Sequence, residues 1–249
     1  MKSPCRLGNA LLLVLTLAFP ALAQDVVSLD LYRTGDYQQF EDGDPVPVPS
    51  NNGDEPFSLL TVMGMSGEFL SDPDNLIFVR GVTLQPPSGA LRGMDFLDFF
   101  GGFVLFDSFT SASAMQSAYR AGNYQYTFGS VLTGDEVYRM SLPDAALPDP
   151  PRIINFAAAQ NVDPSDAFTL QWTPASPEDG GAELAVFDAE TGEMVYGSDT
   201  LLGAVSSATI PANTLRAGRI YEAEVSVTRL DVLEDGVIPS LFATSASMT

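Results

Sequence analysis

Short segments in which apolar and polar residues alternate recur along this chain, with glycines and prolines between them. The alternation is clear at residues 124–128, 138–142, 168–172 and 221–228. A period of two residues is typical of a half-buried β-strand, and the 21 glycines and 18 prolines would interrupt long helices. The sequence therefore predicts an all-β fold, in which residues 112–118 form the one short helix.

A proline-rich stretch divides the chain. Residues 143–151 contain four prolines, and proline removes a backbone donor and favours extended backbone before it. We interpret this stretch as a short, stiff linker between two β-sandwich-like domains in tandem. The predicted boundaries are residues 24–147 and 148–249, after an N-terminal signal at residues 1–23.

The second half contains further short strand candidates, at residues 153–156, 184–187, 194–196, 208–210 and 241–246. Residues 189–193, which include a glycine, fit a hairpin turn between two of them. About seven short strands in roughly 100 residues is the pattern of a β-sandwich.

Two motifs of this half resemble fibronectin type III domains. Leu215 and Gly218 precede Tyr221 as in the tyrosine corner of that family. Trp172 stands where the second strand of the family has its core tryptophan. The resemblance covers residues 150–249 and implies a β-sandwich in which these four residues have structural roles. It also implies a domain that spaces, supports or binds other proteins, and it leaves the ligand open.

The first half is strand-rich as well. Val27, Leu29 and Leu31 alternate with polar residues, and residues 58–63 and 76–84 are apolar runs. We expect a second sandwich or barrel here, and we recognise no family beyond a general similarity to secreted bacterial β-proteins.

The two halves share a short motif. Residues 119–124 are similar to residues 215–221, since both place Arg-Ala-Gly shortly before a tyrosine that enters an alternating strand. Divergent duplication and chance similarity are both open at this point.

The first 23 residues have the features of a secretory signal: Lys2 and Arg6, an apolar stretch at residues 11–19 and a small-x-small site that ends at Ala23. A single membrane anchor is the alternative, but the apolar stretch is shorter than the roughly 18 residues that a spanning helix needs. Export would place the protein in the periplasm, outside the cell or on the cell surface. Cys5 would leave with the signal, so the domains would have to be stable without disulfides.

Composition removes most catalytic chemistry. The chain has no histidine, and its single lysine and single cysteine, Lys2 and Cys5, lie in the signal. Nucleophilic triads, transition-metal sites and lysine-assisted phosphoryl transfer need those side chains. The formal net charge of −21 repels nucleic acid, because phosphate contacts depend on clustered lysine and arginine. We therefore predict that the protein is not an enzyme and binds no nucleic acid.

Chemistry that needs only carboxylates survives this exclusion. A glycosidase requires two acids about 5–10 Å apart, and Asp95 and Asp98 stand among aromatic residues that could raise the pKa of one of them. The aromatic run at residues 96–109 could also stack against a sugar. Core packing is the simpler use of phenylalanine, because sugar platforms favour tryptophan and tyrosine.

Calcium is the metal that this composition permits, since it prefers carboxylate, amide and carbonyl oxygens. The candidate ligands are Asp72, Asp74 and Asn75, with residues 41–44 as a second acidic loop. Neither loop matches a twelve-residue calcium loop, and acidic loops of this kind are ordinarily solvated turns. Residues 41–56 could likewise be a contact surface for a cationic partner or a plain solvated connection.

The sequence thus predicts a non-catalytic exported module for protein interaction, adhesion or structure. A carbohydrate- or calcium-dependent binding module is the alternative, and a carboxylate-based glycosidase is a remote one. The expected partner is an extracytoplasmic protein or glycan. We expect no cofactor unless calcium binds, and no membrane span after removal of the signal.

Overall fold

The computed structural model describes residues 26–49, 55–176, 180–199, 201–232 and 239–248. The predicted signal at residues 1–23 lies outside them. In the part of the chain that is described, no helix is long and apolar enough to cross a membrane.

Strands dominate the fold, so the all-β prediction is confirmed. Within the described residues the strands are, in chain order, β1 Val26–Gln38, β2 Val46–Pro47, β3 Phe57–Met65, β4 Val79–Gln85, β5 Arg92–Leu97, β6 Gly102–Phe109, β7 Gly122–Ser130, β8 Gly134–Leu142, β9 Phe168–Gln171, β10 Gly181–Asp188, β11 Met194–Gly197, β12 Leu201–Leu202, β13 Ser207–Ile210, β14 Tyr221–Val232 and β15 Pro239–Met248. The helices are α1 Gly67–Leu70, α2 Ala112–Ala118 and α3 Phe156–Ala159, with 3-10 turns at Pro73–Phe78 and Asp98–Phe100. The predicted helix has the bounds of α2, because Ser111 caps it by accepting a hydrogen bond from the Ala114 amide at 3.2 Å.

One sheet runs through both halves of the chain. It has 13 strands, and its main path has the order β11-β10-β14-β15-β1-β3-β6-β5-β4-β7-β8. The halves meet where β15 runs parallel to β1, with Leu31 opposite Ser240 and Gln38 opposite Ser247. The other described strand pairs are antiparallel. The last strand of the described chain is therefore a neighbour of the first.

β5 turns the sheet back on itself. Met94 in its first part is opposite Val82 of β4, whereas Asp95 in its second part is opposite Val104 of β6. β4, β7 and β8 thereby form a second layer, which packs against β1, β3 and β6. The first half is a sandwich in which one strand belongs to both layers.

Two hydrophobic cores result within the described ranges. Buried members of the first include Leu31, Leu59 and Tyr126, together with Phe242 from β15. The second lies between β10, β14 and β15 on one side and the two-stranded sheet of β9 and β13 on the other, around Trp172. Burial of one large apolar side chain stabilises a fold by about 1.5–3 kcal/mol, so β15 stabilises both halves. The division of the chain into two domains stays a prediction.

Two predicted strands are wrong in whole or in part. At residues 153–156, Ile153 makes one bridge to Trp172 and the chain then enters α3. The amide of Ile153 donates to the side-chain oxygen of Gln39 at 2.7 Å, and the side-chain nitrogen of Gln39 donates to the carbonyl of Ile153 at 2.9 Å. Both backbone groups of Ile153 are thereby satisfied without a partner strand. At residues 76–84 the first part is a 3-10 turn, because proline follows the capping residue Asp72, and β4 begins only at Val79.

A bulge changes the predicted face of β1. Val27 was expected to point inward with Leu29 and Leu31, but the register shifts between Val26 and Ser28. Val26 is therefore buried, while Val27 is 37% exposed. The predicted hairpin turn at residues 189–193 is confirmed, since β10 and β11 pair across it.

Candidate functional site

The aromatic run at residues 96–109 divides between the core and the surface. Phe103 is buried, and Phe96 and Phe109 pack against the first core. Phe99 is 86% exposed, and its ring stands at 89° to the neighbouring ring of Phe100. Two perpendicular rings do not form the flat surface on which a sugar stacks.

The two acids considered for a glycosidase lie in water. Asp95 is exposed on β5, and Asp98 is exposed at the start of the 3-10 turn that ends before Gly101. A general acid needs an apolar environment that raises the pKa of its carboxyl group. Neither side chain has that environment.

The calcium candidates hold a turn together. The Asp72 carboxylate accepts a hydrogen bond from the Asp74 amide at 3.0 Å, and the Asn75 amide group donates to the carbonyl of Phe69 at 3.0 Å. No group of three or more acidic, histidine or cysteine side chains converges on one point within the described residues. In the second acidic loop, Asp44 lies 3.6 Å from a guanidinium nitrogen of Arg152.

The four residues given structural roles lie around the second core. Trp172 is fully buried, and its indole nitrogen donates to the carbonyl of Val205 at 3.1 Å. Leu215 packs against the same core. The Tyr221 hydroxyl accepts a hydrogen bond from the Arg216 amide at 2.8 Å, and Gly218 between them has a φ of +76°, which favours glycine.

The shared motif has a similar arrangement in the first half. The hydroxyl of Tyr124 donates to the carbonyl of Arg120 at 2.9 Å, across Gly122 with a φ of +133°. In both halves a tyrosine at the start of a strand thus reaches back to the backbone of the arginine before it.

A groove of about 400 Å³ lies beside the proline-rich stretch. Its lining includes Leu147, Asp149, Ser176 and Arg229. Arg229 donates to the carbonyl of Ala146 at 3.2 Å. The lining thus includes one carboxylate, one guanidinium and one serine hydroxyl.

Exposed apolar side chains gather at one end of the first half. We call this surface the apolar end, and it consists of Leu70, Ile77, Phe78, Phe99, Val131 and Leu132. Ile77, Phe99 and Leu132 are 72%, 86% and 68% exposed. Sequence reasoning missed this surface, because apolar residues in a run or beside a turn look like core residues until the fold is known.

Hydrogen bonds and close packing join the connections that form the apolar end. The Val131 amide donates to the carbonyl of Phe78 at 2.8 Å, and the Met65 amide donates to the carbonyl of Gly101 at 3.0 Å. Leu70 packs toward Gly101. The Ser130 hydroxyl accepts hydrogen bonds from two amides of the β7–β8 turn. Backbone hydrogen bonds within and between these connections therefore fix the positions of the residues of the apolar end.

The charge around the apolar end is negative. Glu68, Asp72, Asp74 and Asp98 are exposed there, and the connections at residues 66–78, 97–101 and 130–134 contain neither lysine nor arginine. Arg80, at the start of β4, pairs with the carboxylate of Asp135, at the start of β8. The surface is apolar with an acidic rim.

A second group of acids lies on the outer face of the central sheet. The Ser245 hydroxyl of β15 donates to a carboxylate oxygen of Asp36 on β1 at 3.2 Å. Burial, together with the nearby Asp36 carboxylate, raises the pKa of Glu224 on β14 to about 7. Burial also raises the pKa of Asp36. These carboxylates hold protons more tightly than acids in water.

Comparisons with known proteins give structural likenesses of low similarity. No family model and no curated protein matches the chain. The FN1–FN3 domains of chicken CNTN1 match with 13% identity and a TM-score of 0.37, over 86% of this chain and 69% of that chain. A 1.5-MDa bacterial ice-binding adhesin matches with 11% identity and a TM-score of 0.29, over 89% of this chain and 63% of that chain. Alpha-2-macroglobulin of Salmonella matches with 11% identity and a TM-score of 0.23, over 92% of this chain and 15% of that chain.

Proposed function

We propose that this protein is a non-catalytic, exported protein-binding module that docks a partner through the apolar end. The observation that carries the proposal is the exposure of Ile77, Phe99 and Leu132 on ordered turns at one end of the molecule. Exposed apolar side chains grouped in this way mark interaction surfaces. A few residues in well-packed, fully desolvated pockets supply most of the binding energy of an interface, and burial of apolar side chains such as these adds to it.

The acidic rim defines the chemistry of the partner. A protein with an apolar pocket surrounded by lysine or arginine complements Glu68, Asp72, Asp74 and Asp98. A membrane rich in anionic lipids is a poor partner, because its surface repels the same carboxylates. The partner is therefore expected to be a basic extracytoplasmic protein rather than a lipid surface.

Three further observations support a binding role over catalysis. The chain contains no histidine. Asp95 and Asp98 are exposed to water. The rings of Phe99 and Phe100 are perpendicular, which disfavours a sugar platform.

Site-directed photocrosslinking in the source cells tests this proposal. A photoreactive phenylalanine at position 99 should give an adduct with a discrete protein, whereas the same group at Ile220, which is also exposed, should not. In a separate double variant, Ile77→Ser combined with Leu132→Ser should weaken binding of the captured partner by about tenfold or more, because each substitution removes an apolar side chain from the contact. Identical adducts at positions 99 and 220 would count against the proposal.

Export is tested separately. N-terminal sequencing of the protein from the envelope or the medium should find Gln24 as the first residue. A cytoplasmic protein that still begins at Met1 would contradict the export part and leave the binding surface open to its own test.

A further inference from the structure

β8 is a long, regular strand at an edge of the sheet. All nine of its residues pair with β7 without a register shift, and in the described chain it pairs with no other strand. The strand at the opposite edge, β11, has four residues and a shifted register. A long unpaired edge presents backbone donors and acceptors to another strand.

The side chains of β8 carry a self-complementary pattern. Asp135, Val137 and Arg139 are exposed and lie on one face, whereas Glu136 and Tyr138 lie on the other. Val137 is 43% exposed. The Arg139 side chain forms no ion pair or hydrogen bond within the described residues, and Asp135 pairs with Arg80 through one of its two carboxylate oxygens.

We propose that a second copy of this chain pairs antiparallel with β8 about a twofold axis at Val137. In this register Asp135 of each copy is opposite Arg139 of the other, and Glu136 is opposite Tyr138. Each Asp135 carboxylate then lies between Arg80 of its own chain and Arg139 of the second copy. Opposite charges directly across a strand pair stabilise it, so the free guanidinium of Arg139 gains a partner.

Neighbouring registers lack this complementarity. An axis at Glu136 places the two Glu136 carboxylates opposite each other, and like charges in that position destabilise a strand pair. An axis at Tyr138 places Asp135 opposite Ser141 and Arg139 opposite Val137, so neither faces an opposite charge across the strand pair. Residues that are directly opposite in an antiparallel pair point to the same face of the sheet, whereas adjacent residues of one strand point to opposite faces. A twofold axis must therefore lie between two copies of the same residue.

The dimer has a geometric consequence. β8 begins beside the apolar end, at Gly134, and finishes at the far end, at Leu142. Two antiparallel copies therefore display their apolar ends in opposite directions. The contacts of the dimer involve β8 and Arg80, and they do not depend on what the apolar end binds.

A cysteine at the axis tests the geometry. In a Cys5→Ser background, Val137→Cys should be joined into a covalent dimer by a short bifunctional thiol reagent. Leu91→Cys, on an exposed turn, is the matched control and should remain monomeric. A covalent dimer at position 137 alone supports the proposal, and equal yields at both positions, or none at position 137, would overturn it.

Charge exchange tests the register. Arg139→Asp alone places two acids opposite each other, and Asp135→Arg alone places two arginines opposite each other. Each variant should therefore dimerise about tenfold or more weakly than the wild type, whereas an equimolar mixture of the two should form a heterodimer with both pairs restored. Sedimentation velocity distinguishes these outcomes, with circular dichroism melting as the check on folding. A mixture that sediments as monomers, or single variants that dimerise like the wild type, would reject the register.

Discussion

The guanidinium carbon of Arg33 lies 5.4 Å from the centre of the Phe242 ring, where the first and last described strands run side by side. Both side chains are buried, and Arg33 also donates to the carbonyl of Tyr119. Burial lowers the pKa of Arg33. A cation over an aromatic ring is attracted to the face of the ring, so this contact fastens β15 to the first core.

Phe242→Ala tests the contribution of β15 to the first core. Removal of the ring should destabilise the protein by about 3–5 kcal/mol, because it leaves a cavity among well-packed side chains. Denaturant unfolding followed by Trp172 fluorescence and by the near-ultraviolet signal of the tyrosines checks this value. Both probes should shift together, since β15 packs in both cores. A shift of one probe alone would contradict the coupling, and Met194→Ala, at an exposed position, is the control.

Glu224→Gln should change how stability depends on pH. The pKa of Glu224 is raised in the folded protein from its ordinary value near 4.5 to about 7. Between these values the unfolded chain has lost the proton and the folded chain still holds it, so stability falls as the pH rises. The glutamine variant should therefore be the more stable form at pH 8, by at most about 3 kcal/mol at 1.36 kcal/mol per unit, and less where water screens the charge.

Thermal melting of both proteins across the pH range checks this prediction. The difference between them should disappear at about pH 4.5 and below. Glu193→Gln, at an exposed position, is the matched control. Parallel melting curves for wild type and Glu224→Gln at all pH values would contradict a raised pKa at this position.

Asp188→Asn should remove a stabilising effect at the other end of the pH scale. The Arg219 guanidinium, which donates to both carboxylate oxygens at 2.7 and 2.9 Å, lowers the pKa of Asp188 to about 2. The stability from this pair is complete above the ordinary value near 3.8 and is lost as the pH falls through 2. The wild type should therefore lose the stability of the Asp188–Arg219 pair in strong acid. The variant lacks this pair at every pH, so its stability should fall less over the same range. If wild type and variant unfold with the same acid midpoint, the pair does not stabilise the fold.

Removal of the hydroxyl group should lower the free energy of unfolding by different amounts at the two tyrosines of the shared motif, Tyr124 and Tyr221. Tyr221→Phe removes one hydrogen bond to an exposed amide and should cost about 0.5–1.5 kcal/mol or less. Tyr124→Phe should cost more, because the Tyr124 hydroxyl also interacts electrostatically with the buried guanidinium of Arg33. Denaturant midpoints of the two variants give the comparison, and a larger loss for Tyr221→Phe would reverse it.

Local pattern was enough to predict much of the fold. β7, β8, β9 and β14 alternate in sequence, and Ser111 provides the cap that begins the predicted helix. β5 and β6 were missed, because phenylalanines occupy both faces and the interposed 3-10 turn hides the strand period. The pairing of β15 with β1 joins segments far apart in sequence, and no local pattern specifies such a partner.

The candidate site was less predictable, because exposure is a property of the assembled fold. Ile77 belonged to a run that was expected to be a strand, yet it lies on a turn and is 72% exposed. Phe99 and Phe103 are four residues apart in one aromatic run, yet only Phe103 is buried. The absence of histidine could be read without a structure, because it holds for any fold of this chain.

The parallel pairing of β1 and β15 also determines how the molecule resists a mechanical load. β1 begins at Val26 near one end of the pair, and β15 finishes at Met248 at the other. A pull in opposite directions on these two residues would slide the strands along each other in shear. The eight residue pairs from Leu31 to Gln38 would then bear the force together rather than open one after another. Because the pairs share the load, a tether attached at these two points would yield abruptly and only at high tension. The rate at which it yields is the rate of unfolding under force.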